Sequence, residues 1–72
     1  MDMISPRYRG VVREFDRVRG CGTIEIETGE RVFVRYSAIV GHGRRTLRMG
    51  DQVSCNVEQG HRGLTAVRVM RD

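Results

Sequence analysis

In the stretch "RVFVRYSAIVGHGRRTL", Phe33 and Arg35 alternate with Val32 and Val34, so a ring and a guanidinium share the face that an ordinary strand would give to water. Both groups are flat, and both stack on planar partners such as nucleobases. The rest of the chain suits a polyanionic partner. Its 72 residues carry thirteen basic side chains, all arginine, against nine acidic ones, for a net charge of +4. No other chemistry is supported. No nucleophile–base pair recurs at a usable spacing, and "GHGRRTLRMG" lacks the strand-to-helix context of a phosphate loop. Cys21 and Cys55 supply half of a structural zinc set, and His42 and His61 stand singly beside glycines in apparent loops. The expectation is a binding module without enzymatic activity, metal or cofactor.

The elements that must position these residues are short strands. "YRGVVREF", from Tyr8 to Phe15, reads as the first, although its faces are ambiguous near the end. "CGTIEIETGERVFV" gives two alternating runs around a turn. A loop of Thr28 to Glu30 would set Ile26 against Val32 and Ile24 against Val34, leaving Cys21, Thr23, Glu25, Phe33 and Arg35 outward. "DQVSCNVEQG" and "LTAVRVMR" add two more strands, and "YSAIVG" has room for one short helical turn. The predicted core is Val12, Ile24, Ile26, Val32, Val34, Ile39, Leu47, Val53, Cys55, Val57, Val67 and Val69. Five short strands punctuated by glycine predict a small closed barrel, since closure removes exposed edges.

The chain divides into a loose tail, residues 1–7, and one domain, residues 8–72. No apolar run is long enough for a signal peptide or a membrane span, and two cysteines make no disulfide framework. These features predict a cytoplasmic protein with reduced thiols, and no bond between the core residue Cys55 and the outward Cys21.

From Gly10 to Val69 the chain resembles a bacterial cold-shock protein, a single cold-shock domain of the OB type. "GVVREFD" stands where that family has glycine, two apolar residues, lysine, tryptophan, phenylalanine and asparagine. "RGCGTI" stands at the first nucleic-acid-binding motif, usually lysine-glycine-phenylalanine-glycine-phenylalanine-isoleucine. "VFVRYSAI" is close to the second motif, in which Arg35 is usually histidine and Tyr36 phenylalanine. "TLRMGDQV" and "EQGHRGLTAVRV" follow the last third in order and spacing. The resemblance implies an all-β, five-stranded antiparallel OB-type barrel, monomeric, that binds single-stranded RNA or DNA as a chaperone or a regulator of gene expression. An OB-fold translation factor shares the glycine-to-strand pattern but lacks the agreement at "VFVRYSAI".

The resemblance also locates the departures. Glu14 replaces the tryptophan, Cys21 and Thr23 replace two phenylalanines, and Arg44 replaces a loop aromatic, whereas Phe15, Phe33 and Tyr36 keep their rings. Gly20 and Gly22 keep the family spacing, which would let a base approach the backbone closely. Two readings follow. In one, Arg35 and Arg44 stack on bases while Arg13, Arg19 and Arg62, where the family often has lysine, contact phosphates. In the other, Glu14 repels the phosphate backbone and the altered face meets a protein. Apart from both readings, Arg13, Arg19 and Arg62 have a plainer one, a solvated basic face neutralised by Glu14, Asp16 and Glu58.

Overall fold

The computed structural model describes residues 7–41, 46–61 and 63–72. Strands β1 (Arg7–Asp16), β2 (Cys21–Ile26), β3 (Arg31–Arg35), β4 (Gln52–Gly60) and β5 (Gly63–Arg71) close a barrel in the order β1-β2-β3-β5-β4. A single 3₁₀ turn, Tyr36–Ala38, follows β3, where a short helical turn was expected. Four seams are antiparallel, and β3 meets β5 in parallel through Phe33 and Thr65. The expected five-stranded antiparallel barrel is present, and this seam is its one parallel pairing. A ring with an odd number of strands cannot alternate direction throughout, so one neighbouring pair has to run parallel. β1 begins at Arg7, which was assigned to the tail; residues 1–6 lie outside the described residues.

The β2–β3 hairpin has the expected parity but a different register. Ile24 pairs with Val32 and Thr23 with Phe33, two residues from the expected Ile26–Val32 match. Gly29 decides this. Its φ of +93° is open to glycine and strained for other residues, and its N–H donates to the Ile26 carbonyl at 2.8 Å. A left-handed glycine closes a three-residue hairpin loop, so the loop is Glu27–Gly29 and not Thr28–Glu30. A slip of two residues preserves sidedness, and Cys21, Thr23, Phe33 and Arg35 remain on the outer face.

Val12, Ile24, Ile26, Val32, Val34, Ile39, Leu47, Val53, Cys55 and Val69 form the core as predicted. Val57 and Val67 do not reach full burial, and Ala66 takes the inward place on β5. Val57 keeps its inward side opposite Ala66 and packs partly buried against the core, whereas Val67 is displaced by a bulge. Ser54 pairs with Met70 but Asn56 with Val67, and the extra residue, Arg68, has φ +51°. A bulge reverses the alternation beyond it, turning Ala66 inward in place of Val67. Arg7 braces the same place, donating from its guanidinium to Asn56 Oδ1 (2.8 Å), Ser54 Oγ (3.0 Å) and the Arg68 carbonyl (2.9 Å). Cys55 is buried and Cys21 half-buried, and both are free thiols. Burial pushes the Cys55 thiol above its ordinary pKa, against a smaller opposing pull from Arg7.

A candidate nucleic-acid interface

A second bulge builds the outer face. Val12 pairs with Ile24 and Glu14 with Thr23, so Arg13 is the extra residue on β1. Beyond it the faces exchange, which resolves the ambiguity at the end of "YRGVVREF": Glu14 points outward beside Thr23, and Phe15 leans on the core. Register then aligns one row across four seams, Glu14–Thr23–Phe33–Thr65–Glu58. The neighbouring row is Asp16–Cys21–Arg35. Phe33 is the ring at the centre of the first row, flanked by two small threonines that leave it approachable. The Arg35 guanidinium carbon lies 5.9 Å from its centroid, within cation–π range.

This face carries a cleft. Cys21, Gly22 and Thr23 line it together with Phe33, Phe15, Glu14, Asp16, Arg19 and Met49. Met49, 76% exposed, was missed as a site residue. Its only sequence signal is an apolar side chain between Arg48 and Gly50 in a polar loop. Thr65 was missed too, because a parallel seam between distant strands leaves no local pattern.

Gly20 and Gly22 correct the expectation that they make room for a base. A Cβ on Gly22 would collide with the Glu14 carbonyl oxygen and come within 2.7 Å of Phe15 Cα. One on Gly20 would come within 2.8 Å of the Tyr36 ring. Both spaces are filled by protein. Gly22 lets β1 cross β2 tightly at the bulge, and Gly20 seats Tyr36, which remains 54% exposed at the end of β3.

The arginines separate into groups. Arg35 and Arg19 are exposed at the cleft side, and Arg19 Nε lies 4.0 Å from Asp16 Oδ2. Asp16 is held in the β1–β2 turn, accepting N–H bonds from Val18 (2.9 Å) and Arg19 (3.1 Å). Those backbone hydrogen bonds, with a lesser contribution from the Arg19 charge, lower its pKa below the ordinary carboxylate value. Arg13 does not join the cleft. Its Nε pairs with Glu25 Oε1 at 2.8 Å, and it lines a separate depression with Arg9, Glu27 and Gln52. Its neutralising partner is therefore Glu25, which differs from the expected set of Glu14, Asp16 and Glu58. Arg44 and Arg62 lie outside the described residues, as does His42. Among the described residues no group of histidine, cysteine, aspartate or glutamate could hold a metal ion, and no helix is long and apolar enough to cross a membrane.

Comparison with known proteins agrees with this geometry. Residues 8–71 match the family model described as the "Cold-shock" DNA-binding domain. The chain is 44% identical over 63 residues to cold shock protein CspB of Bacillus caldolyticus, spanning 88% of this chain and 96% of that one. It is 45% identical over 62 residues to cold shock-like protein CspE of Bacillus anthracis, spanning 86% and 92%. The solved structure described as drosophila Unr CSD456 superimposes with a TM-score of 0.76 at 20% identity, covering 94% of this chain and 27% of that one, and so shares the fold. The chain belongs to the cold-shock domain family of non-enzymatic, nucleic-acid-binding barrels.

Proposed function

We propose that this barrel binds single-stranded RNA or DNA on the outer face of β2 and β3, and acts as an RNA chaperone or a regulator of transcription or translation. The observation that carries this reading is the Phe33–Arg35 pair. The half-buried Phe33 ring has the Arg35 guanidinium carbon 5.9 Å from its centroid, with threonines on either side of it along its row. Such a pair offers a base a stacking surface and its phosphate a planar cation at once. Tyr36 adds a half-exposed ring at the strand end. Arg19, Arg44 and Arg62 contribute charge, and Glu14, Cys21 and Thr23 mark where stacking has been given up. Arg13, held by Glu25, contributes less than its family position suggests.

A competing reading rests on the two carboxylates that bracket the row, Glu14 and Glu58, which favour a protein partner over a phosphate backbone. Titration of a fluorescent single strand at several salt concentrations decides between them. With rings missing, phosphate contacts supply most of the affinity, so log K should fall with log salt by about 0.7 per phosphate neutralised. Binding that barely responds to salt contradicts the electrostatic interface. No binding at low salt favours the protein partner.

A further inference from the structure

The outer wall formed by β1, β4 and β5 carries positive charge that the cleft does not use. Arg7 and Arg9 share one face of β1, opposite Asn56 and Ser54 of β4, and these in turn lie opposite Val67 and Met70 of β5. Arg68 stands in the β5 bulge between those last two positions, and all three arginines are exposed. No acidic residue occupies these wall positions. Carboxylates lie at the margins: Glu25, Glu27 and Asp72 line a depression with Arg9, Glu25 being paired with Arg13, and Glu58 stands two residues beyond Asn56. Among the described residues the ion pairs are Arg13–Glu25 and Arg19–Asp16, both outside this wall.

Arg7 is the fixed point of the wall. Its guanidinium is held by a carboxamide oxygen, a hydroxyl and a main-chain carbonyl, all uncharged, so it is ordered without being neutralised. A guanidinium immobilised in this way loses little entropy on meeting a phosphate and keeps N–H groups for it. Arg9 and Arg68 flank it on either side of β4. The neighbouring wall residues Ser54 and Met70 present no ring on which a base could stack.

We propose that this wall is a second nucleic-acid site, one that holds the phosphate backbone without reading bases. The barrel then carries two strand segments, one stacked on β2–β3 and one held electrostatically on β1–β4–β5, and can bridge separate strands. The bridging rests on the β2–β3 reading, whereas the wall's own affinity for phosphate does not.

The test uses two non-complementary single strands, one labelled with a donor fluorophore and one with an acceptor, with native mass spectrometry to count strands per barrel. The full-length chain should give energy transfer at low salt and a complex of one barrel with two strands. Arg9→Glu combined with Arg68→Glu should weaken bridging by at least about tenfold, with affinity for the first strand nearly unchanged. Arg7 is left in place because it braces the bulge. If the double variant fails to fold by circular dichroism, Arg9→Glu alone should show the same loss to a smaller degree. A Phe33→Ala/Arg35→Ala variant should keep weak, salt-sensitive binding through the wall. Equal binding by that variant and the unaltered chain would sink the β2–β3 reading and leave the wall standing. Bridging that survives charge reversal, or one strand per barrel with an affinity that the Arg9/Arg68 charge reversal leaves unchanged, overturns the wall proposal, and no binding by any form overturns both.

Discussion

Strands β2 and β3 are paired residue for residue, yet their outer faces differ in kind. β3 presents Phe33 and Arg35, and its end presents Tyr36; β2 presents Cys21 and Thr23 at the matching positions. Their inner faces do not differ, since Ile24, Ile26, Val32 and Val34 are all buried in one core. The contrast separates two demands on a strand. The inside must fill the barrel with close-packed apolar volume, and the outside is free to vary without disturbing that packing. Both strands fill one aliphatic interior, and the outward ring and guanidinium of the hairpin stand on β3 alone.

The largest expected effect breaks the inner half of that comparison. Ile24→Ala should destabilise the fold by about 2–5 kcal/mol, as loss of a buried aliphatic side chain does. Thr23→Ala, one residue away on the outer face, should change stability by no more than about 0.5 kcal/mol. Urea denaturation of the two variants makes the measurement, and equal losses would mean that the two faces are not distinct.

Next come the outer positions. Glu14→Trp should raise single-strand affinity by roughly 1–3 kcal/mol through stacking, with a smaller gain from removing a carboxylate that salt screens. Glu14→Gln should recover only that smaller part, and the recovery should fade as salt rises. In the tryptophan background, Phe33→Ala should lower affinity by a comparable amount, because both side chains lie in one row. If neither Glu14 variant changes affinity while the fold stays intact, the row is not the site.

A smaller effect concerns the turn that delivers β2 to the cleft. The Asp16 carboxylate accepts the Val18 and Arg19 N–H groups, which lowers its pKa in the folded chain. A carboxylate whose folded pKa is depressed adds stability that is present above its unfolded value, about 3.9, and is lost as pH falls through the lower folded value. Asp16→Asn keeps an acceptor but cannot titrate. Acid unfolding followed by circular dichroism should therefore show a flatter pH dependence below pH 4 or so in the variant. An unchanged profile would show that the turn does not depend on the charge.

Much of this fold could be read from the sequence because alternation and glycine are local signals. Valine and isoleucine at alternate positions marked both inner faces of the hairpin, and cysteine among valines marked Cys55 as core. Bulges were the main obstacle. The extra residues Arg13 and Arg68 look like any other arginine, yet each reverses the faces beyond it, which is why Phe15 was ambiguous and Val67 was misplaced. The hairpin register was missed because two loops of equal length both keep the apolar set together; only the left-handed backbone at Gly29 separates them. At the candidate site, the outward placement of Phe33 and Arg35 was legible from parity. Met49 and Thr65 were not, since one comes from a loop and the other from a strand distant in sequence. The role of Arg13 depended on which carboxylate lay across the strand, and sequence spacing did not single out Glu25.

The most direct test of the β2–β3 interface is a ¹H–¹⁵N correlation titration of the isotope-labelled chain with a short unlabelled single strand at low salt. The largest shifts should fall on the Gly20, Thr23, Phe33, Arg35 and Tyr36 amides, with weaker, salt-sensitive shifts at Arg7, Arg9 and Arg68. Shifts confined to other surfaces, or no shifts while the barrel stays folded, would contradict that interface.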